Sequence, residues 1–98
     1  MKVMEEVGKY KDYAIAMRRE FHRYPELSWQ EERTAERIRK ELTAMGISWE
    51  EVAGTGTIAT IKGRKDHPVI GLRCDIDALP IKEVKDLPFR SENEGVMH

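Results

Sequence analysis

Two carboxylates, Asp75 and Asp77, stand one residue apart in the stretch Leu72-Arg73-Cys74-Asp75-Ile76-Asp77-Ala78-Leu79-Pro80. Side chains at i and i+2 of an extended backbone point the same way. At the C-terminal end of a strand they would enter the crevice where open sheets bind ligands. There they could ligate a divalent cation. They could also accept a hydrogen bond from a metal-bound histidine and fix its tautomer. The competing reading is a polar turn whose aspartates cap backbone amides. The residues alone leave both readings standing.

The other reactive side chains read mostly as structural. Cys74 alternates against the aspartates, so it is expected to face the core as a small hydrophobe. His22 closes an apolar stripe, where a helix dipole or a carboxylate such as Glu26 would hold it. His67 lies in a charged connector and is expected at the surface, and His98 is the last residue. Gly54-Thr55-Gly56 lacks the further glycine of a dinucleotide fingerprint and the Gly-Lys-Ser/Thr ending of a P-loop, so it reads as a tight turn. Trp29 and Trp49 flank a helical stretch and read as hydrophobic anchors. A catalytic metal centre usually takes at least three protein ligands. Two close carboxylates and three scattered histidines do not supply that set unaided.

The elements that must position these groups follow from periodicity. Val7, Tyr10, Ala14, Met17 and Phe21 form one helical stripe, which predicts a helix over 4–22 closed by Pro25. Ala35, Ile38, Leu42 and Met45 predict a second over 29–45, opened by a Ser28/Glu31 capping box and ended by Gly46. Three strands are expected, at 47–52, 57–61 and 69–73, the third being the least polar. Short connections favour hairpins and a mixed or antiparallel sheet, covered on one face by the two helices. Signals weaken from Ile81 onward, so that stretch is expected to be loose or to self-associate.

Composition narrows the class. The 98 residues carry 17 basic and 18 acidic side chains, and 40% of them are hydrophobic. That balance suits a folded α/β unit and offers no nucleic-acid or membrane surface. One cysteine excludes an intrachain disulfide and fits a reducing, cytoplasmic setting. No apolar run approaches the ~20 residues that span a bilayer.

Taken as an ordered set, these blocks resemble the amino-terminal part of the M20 metallopeptidase superfamily. The similarity is to its amidohydrolase branch of N-acyl-amino-acid, hippurate and indole-acetyl-amino-acid hydrolases. Phe21-His22-Arg23-Tyr24-Pro25-Glu26-Leu27-Ser28, with Glu31 and Thr34, resembles the opening motif. Gly56 to Gly63 resembles the next block, and Leu72 to Pro80 the "LRADMDALP" block, with Cys74 in the alanine and Ile76 in the methionine position. Glu83, Leu87-Pro88-Phe89 and Gly95-Val96-Met97-His98 resemble the family's next positions downstream.

The resemblance implies a partial zinc-exopeptidase-like catalytic domain, with two helices packed on a mixed sheet. It implies hydrolysis of the amide bond in N-acyl amino acids or small peptides by water activated at a two-metal centre (zinc, manganese, cobalt or nickel), with a glutamate as base. It gives Asp77 the role of orienting a metal-bound histidine, and it places Asp75 and His98 near the site. His22, Pro25 and Glu26 match architectural positions. No metal ligand is secured within this chain. The cysteine and histidine of the family's "ACGHD" motif, the base and the dimerisation domain would lie beyond His98. The 98 residues alone are therefore expected to bind no metal and to be catalytically incomplete. The alternative is a non-enzymatic interaction module derived from the hydrolase fold, self-associating through an exposed sheet edge.

Overall fold

A computed structural model describes residues 2–98. The order of elements is α1 (Val3–Gly8), α2 (Lys11–Arg23), α3 (Glu32–Ala44), β1 (Ser48–Val52) and β2 (Gly56–Thr60). The single helix expected over 4–22 is therefore two. The backbone tightens after Gly8, where the amides of Lys9 and Tyr10 bond three residues back to Glu6 and Val7, and helix resumes with Ala14 N–H on Tyr10 C=O at 2.9 Å. Glycine is a poor helix former, by about 1 kcal/mol against alanine. Val3, Met4 and Val7 are exposed, so no packing holds α1 in line with α2.

Helix α3 begins at Glu32, three residues later than expected, and the Ser28/Glu31 capping box does not form. Trp29 sits at φ 67°, a left-handed backbone that a helix cannot continue through. The free amides of the first turn are taken instead by Glu26, from across the loop. Its carboxylate accepts Arg33 N–H at 3.2 Å, Thr34 N–H at 2.6 Å and the Thr34 hydroxyl at 2.7 Å. A carboxylate there satisfies orphan donors and complements the helix dipole. The other end matches expectation. Gly46 is left-handed at φ 74°, its N–H bonds Thr43 C=O, and Ile47 N–H bonds Leu42 C=O. This is the Schellman closure.

Strands β1 and β2 form an antiparallel hairpin in register Ser48↔Thr60 through Val52↔Gly56. A Cβ on Gly56 would lie 2.7 Å from the Val52 carbonyl oxygen, so the close approach at the turn requires glycine. Helix α3 packs against both strands. Arg39 fastens the join, with Nε on Thr57 Oγ1 and Nη2 on Gly56 C=O, each at 2.9 Å. Helix α2 is tied to α3 by polar side chains. Arg37 bridges Glu20 and Glu41 at 2.6 Å each, and the Tyr13 hydroxyl donates to Glu41 at 2.6 Å.

The expected third strand over 69–73 is not assigned, and the described sheet is a two-stranded antiparallel one rather than mixed. Val69, Ile70 and Leu72 are 87%, 82% and 94% exposed. An apolar run becomes a buried strand only where neighbours pair its backbone and cover its faces. Here the run has no ladder partner among the described residues. Cys74 is exposed with it, which corrects its expected place in the core.

The buried centre lies elsewhere. Pro25, Thr34, Ala35, Ala78, Glu83 and Val96 are buried where the loop after α2, the start of α3 and the segment 78–97 meet. That segment contains no helix or strand of its own. Single bridges hold it, Leu27↔Ala78 parallel and Leu79↔Met97 antiparallel. The stretch after Ile81, where looseness or self-association is expected, carries hydrogen bonds to α2 and to the loop that follows it.

Candidate functional site

The site grows from the last turn of α2. His22 Nε2 donates to Glu83 Oε1 at 2.9 Å, and the Phe89 ring meets the imidazole edge-on at a centroid distance of 5.7 Å. The partner of His22 is thus Glu83, not Glu26. The second carboxylate oxygen of Glu83 accepts Ser91 N–H at 2.8 Å, and its backbone carbonyl oxygen accepts Arg90 Nη2 at 3.1 Å. The Ser91 amide first, and His22 second, hold the Glu83 carboxyl below the usual carboxylate range. An ionised acceptor opposite Nε2 keeps a proton on that nitrogen.

The remainder of segment 78–97 is pinned to the same corner. Arg23 donates to Pro88 C=O at 2.8 Å, and Asn93 Nδ2 donates to Pro25 C=O at 3.2 Å. Glu92 N–H bonds Arg23 C=O at 2.8 Å, and Ala78 N–H bonds Glu26 C=O at 2.8 Å. Leu79 and Met97 exchange both backbone hydrogen bonds, at 2.9 and 3.0 Å. This bridge sets Asp77 and His98 at one end of a short antiparallel pair. Desolvation by the neighbouring chain pushes the imidazole of the otherwise exposed His98 below its ordinary value, His22 adds to that shift, and Asp77 opposes it.

The structure brings some predicted residues together and leaves others apart. Asp75, His22 and His98 border one cavity, with Arg18, Thr34 and Cys74 also on its wall. Asp75 and Asp77 both border a second, with Glu31 and Thr55. Both aspartates are exposed, and Asp75 receives Arg73 Nη2 at 3.0 Å. His67 lies at the surface. Gly54 and Thr55 belong to the hairpin turn, as expected, while Trp29 is 75% exposed and does not act as an anchor. Trp49 is fixed at its rim, with Nε1 donating to Thr43 Oγ1 at 2.9 Å and the Arg39 guanidinium over its ring.

Two buried glutamates escaped the residue-level reading. Glu83 carried no spacing signal, because its partner His22 is 61 positions away. Glu31 looked like a capping-box residue. It is buried instead, with Oε2 accepting the Thr55 hydroxyl at 2.7 Å and Oε1 without a protein donor.

Among the described residues no three His, Cys, Asp or Glu side chains converge as a metal-holding group. The residues present do not fit a metal centre unaided. The exposed Asp75 is engaged by Arg73, and His22 is turned to Glu83. What the corner offers is a carboxylate-fixed imidazole beside a second imidazole and two exposed carboxylates.

No protein-family model matches the sequence. Individual relatives do. N-acetylcysteine deacetylase of Bacillus subtilis is 52% identical over 86 residues, which is 86% of this chain and 23% of that protein. Thermostable carboxypeptidase 1 of Saccharolobus solfataricus is 39% identical over 99 residues, covering 99% of this chain and 25% of the relative. The crystal structure of a Bacillus subtilis dinuclear metal-binding peptidase from the M20 family superposes with a TM-score of 0.86 at 48% identity, over 93% of this chain and 26% of the other. The chain thus spans about a quarter of the length of the relatives it matches. Over that span sequence and fold agree, and the chain belongs to the M20 metallopeptidase/amidohydrolase superfamily.

Proposed function

We propose that this stretch works as part of a metal-dependent hydrolase that cleaves the amide bond of N-acyl amino acids or small peptides. The observation that carries the reading is the Leu79–Met97 bridge. It joins the two blocks whose resemblance sets them beside the site, and it does so in a fold shared with a dinuclear metal-binding peptidase. When present in such an enzyme, divalent metals supply polarisation of the carbonyl and activation of water. The residues of this chain do other work. Asp77 orients a metal-bound histidine, Asp75 adds negative charge near the site, and the exposed His98 lies at the same end of the Leu79–Met97 bridge as Asp77. Glu26 and Glu83 hold the backbone that carries them. The 98 residues alone turn over no substrate in this reading. A single exposed cysteine supports the cytoplasm as its setting.

The test is a chimera in which these 98 residues replace the corresponding quarter of N-acetylcysteine deacetylase. With Mn²⁺, Zn²⁺ or Co²⁺, the folded chimera should release free amino acid from N-acetyl substrates, and the 98-residue chain should release none. A folded chimera that is inactive with every metal would contradict the reading, as would metal-dependent turnover by the isolated chain.

A second reading, an interaction module, has one observation in its favour. Val69, Ile70 and Leu72 form an exposed apolar run of the kind that recruits a strand. Sedimentation of the purified protein separates the two. A monomer at all concentrations removes the support for the module.

A further inference from the structure

We propose that Glu83 is a positioning residue for the corner formed by Asp77 and His98. The inference rests on the hydrolase reading for its functional meaning, though not for its geometry. Glu83 is 6% exposed and makes three separate attachments. One carboxylate oxygen takes His22 from α2, the other takes the Ser91 amide, and the backbone oxygen takes Arg90. The Ser91 hydroxyl then donates to Val96 C=O at 2.8 Å, one residue before the Met97 that pairs with Leu79. A short series of contacts therefore runs from α2 through Glu83 and Ser91 to the bridge that sets Asp77 beside His98.

A carboxylate suits this place better than an amide. Both its oxygens accept, so it can serve two N–H donors at once, while a glutamine offers one acceptor and one donor. A glutamine at this position must forfeit the Ser91 amide or the His22 proton. Its NH₂ could also donate to His22 Nε2, which would favour the other tautomer. The carboxylate thus fixes both the loop path and the side of the imidazole that carries hydrogen.

Nitrogen-15 NMR of the 98-residue chain tests this with E83Q, E83A and, as a control, E50Q on the exposed face of β1. The native protein should show His22 in one tautomer with its proton on Nε2, and protected Leu79 and Met97 amides. E83Q should mix the His22 tautomers and lower that protection about tenfold, leaving the β1–β2 amides unchanged. E83A should lower it further, and E50Q should change nothing at the corner. Native-like protection in both Glu83 variants would overturn the proposal. So would loss of the hairpin amides along with the corner, since Glu83 would then hold the whole fold. None of these readouts needs turnover, so an inactive chimera would defeat the hydrolase reading while leaving this result intact. In an active chimera, E83Q should reduce kcat with little change in KM.

Discussion

Residues 61–76 and 77–97 both lack regular elements, yet they are held in opposite ways. The first carries Val69, Ile70 and Leu72, the least polar run of the sequence, and exposes them almost fully. The second is polar and irregular, and it contributes Ala78, Glu83 and Val96 to the buried centre. Apolar patterning marks which residues would gain from burial, but burial needs a partner surface within reach. Polar side chains with specific donors and acceptors can order a loop without any ladder, provided each buried group is satisfied. Segment 77–97 meets the second condition, while Val69, Ile70 and Leu72 stay uncovered.

Four perturbations can break or sharpen that contrast, taken from the largest expected effect to the smallest. The largest concerns Glu83. Its carboxyl lies below the ordinary carboxylate value, so its stabilising contribution is fully present above that value and is lost as pH falls through the depressed native one. Exchange protection of Leu79 and Met97 should hold from neutral pH down to about 5, then fall on further acidification. In E83A it should be weak at every pH. Protection that survives deep acidification would show that the loop is ordered by something other than this carboxylate.

Next is Glu26→Ala, which strips three hydrogen bonds from the first turn of α3. Loss of a helix cap with partly buried donors costs about 2 kcal/mol, to be read from chemical denaturation. A cost near zero would move the weight of the corner onto the segment 78–97 alone. Gly46→Ala should cost about 1 kcal/mol, because alanine resists the left-handed backbone there. It should fray the end of α3 without disturbing Leu79 or Met97.

Smallest is Leu72→Ser. A side chain 94% exposed has little to lose, so stability should change by no more than about 0.5 kcal/mol. Any self-association through the run should decrease. A loss of about 2 kcal/mol or more would mean that Leu72 is buried in solution, and the contrast between the two regions would fail.

The elements legible in the sequence were those built from near neighbours. The stripe of α3, its Gly46 closure and the β1–β2 hairpin all depend on residues within a few positions of each other. The break at Lys9–Tyr10 is invisible there because the apolar stripe runs on through it, while the structure provides nothing for Val3, Met4 and Val7 to pack against. The start of α3 is displaced because Ser28 and Glu31 mimic a local cap, whereas the true acceptor, Glu26, reaches in from across a loop. The third strand fails to form because hydrophobicity indicates a need for cover and says nothing of its presence.

At the site, the Asp75/Asp77 pair stood out by its spacing, and the blocks around it carried the family resemblance. Glu83 did not stand out, and neither did its pairing with His22. Partners 61, 65 and 68 residues apart leave no periodic trace, yet such contacts hold the corner together.

Residue-resolved hydrogen exchange of the 98-residue protein at neutral pH tests the contrast most directly. The amides of Ala78, Leu79, Ser91, Val96 and Met97 should exchange slowly, and those of residues 69–73 should exchange at nearly the rate of a free peptide. Slow exchange across 69–73 together with fast exchange across 78–97 would contradict it.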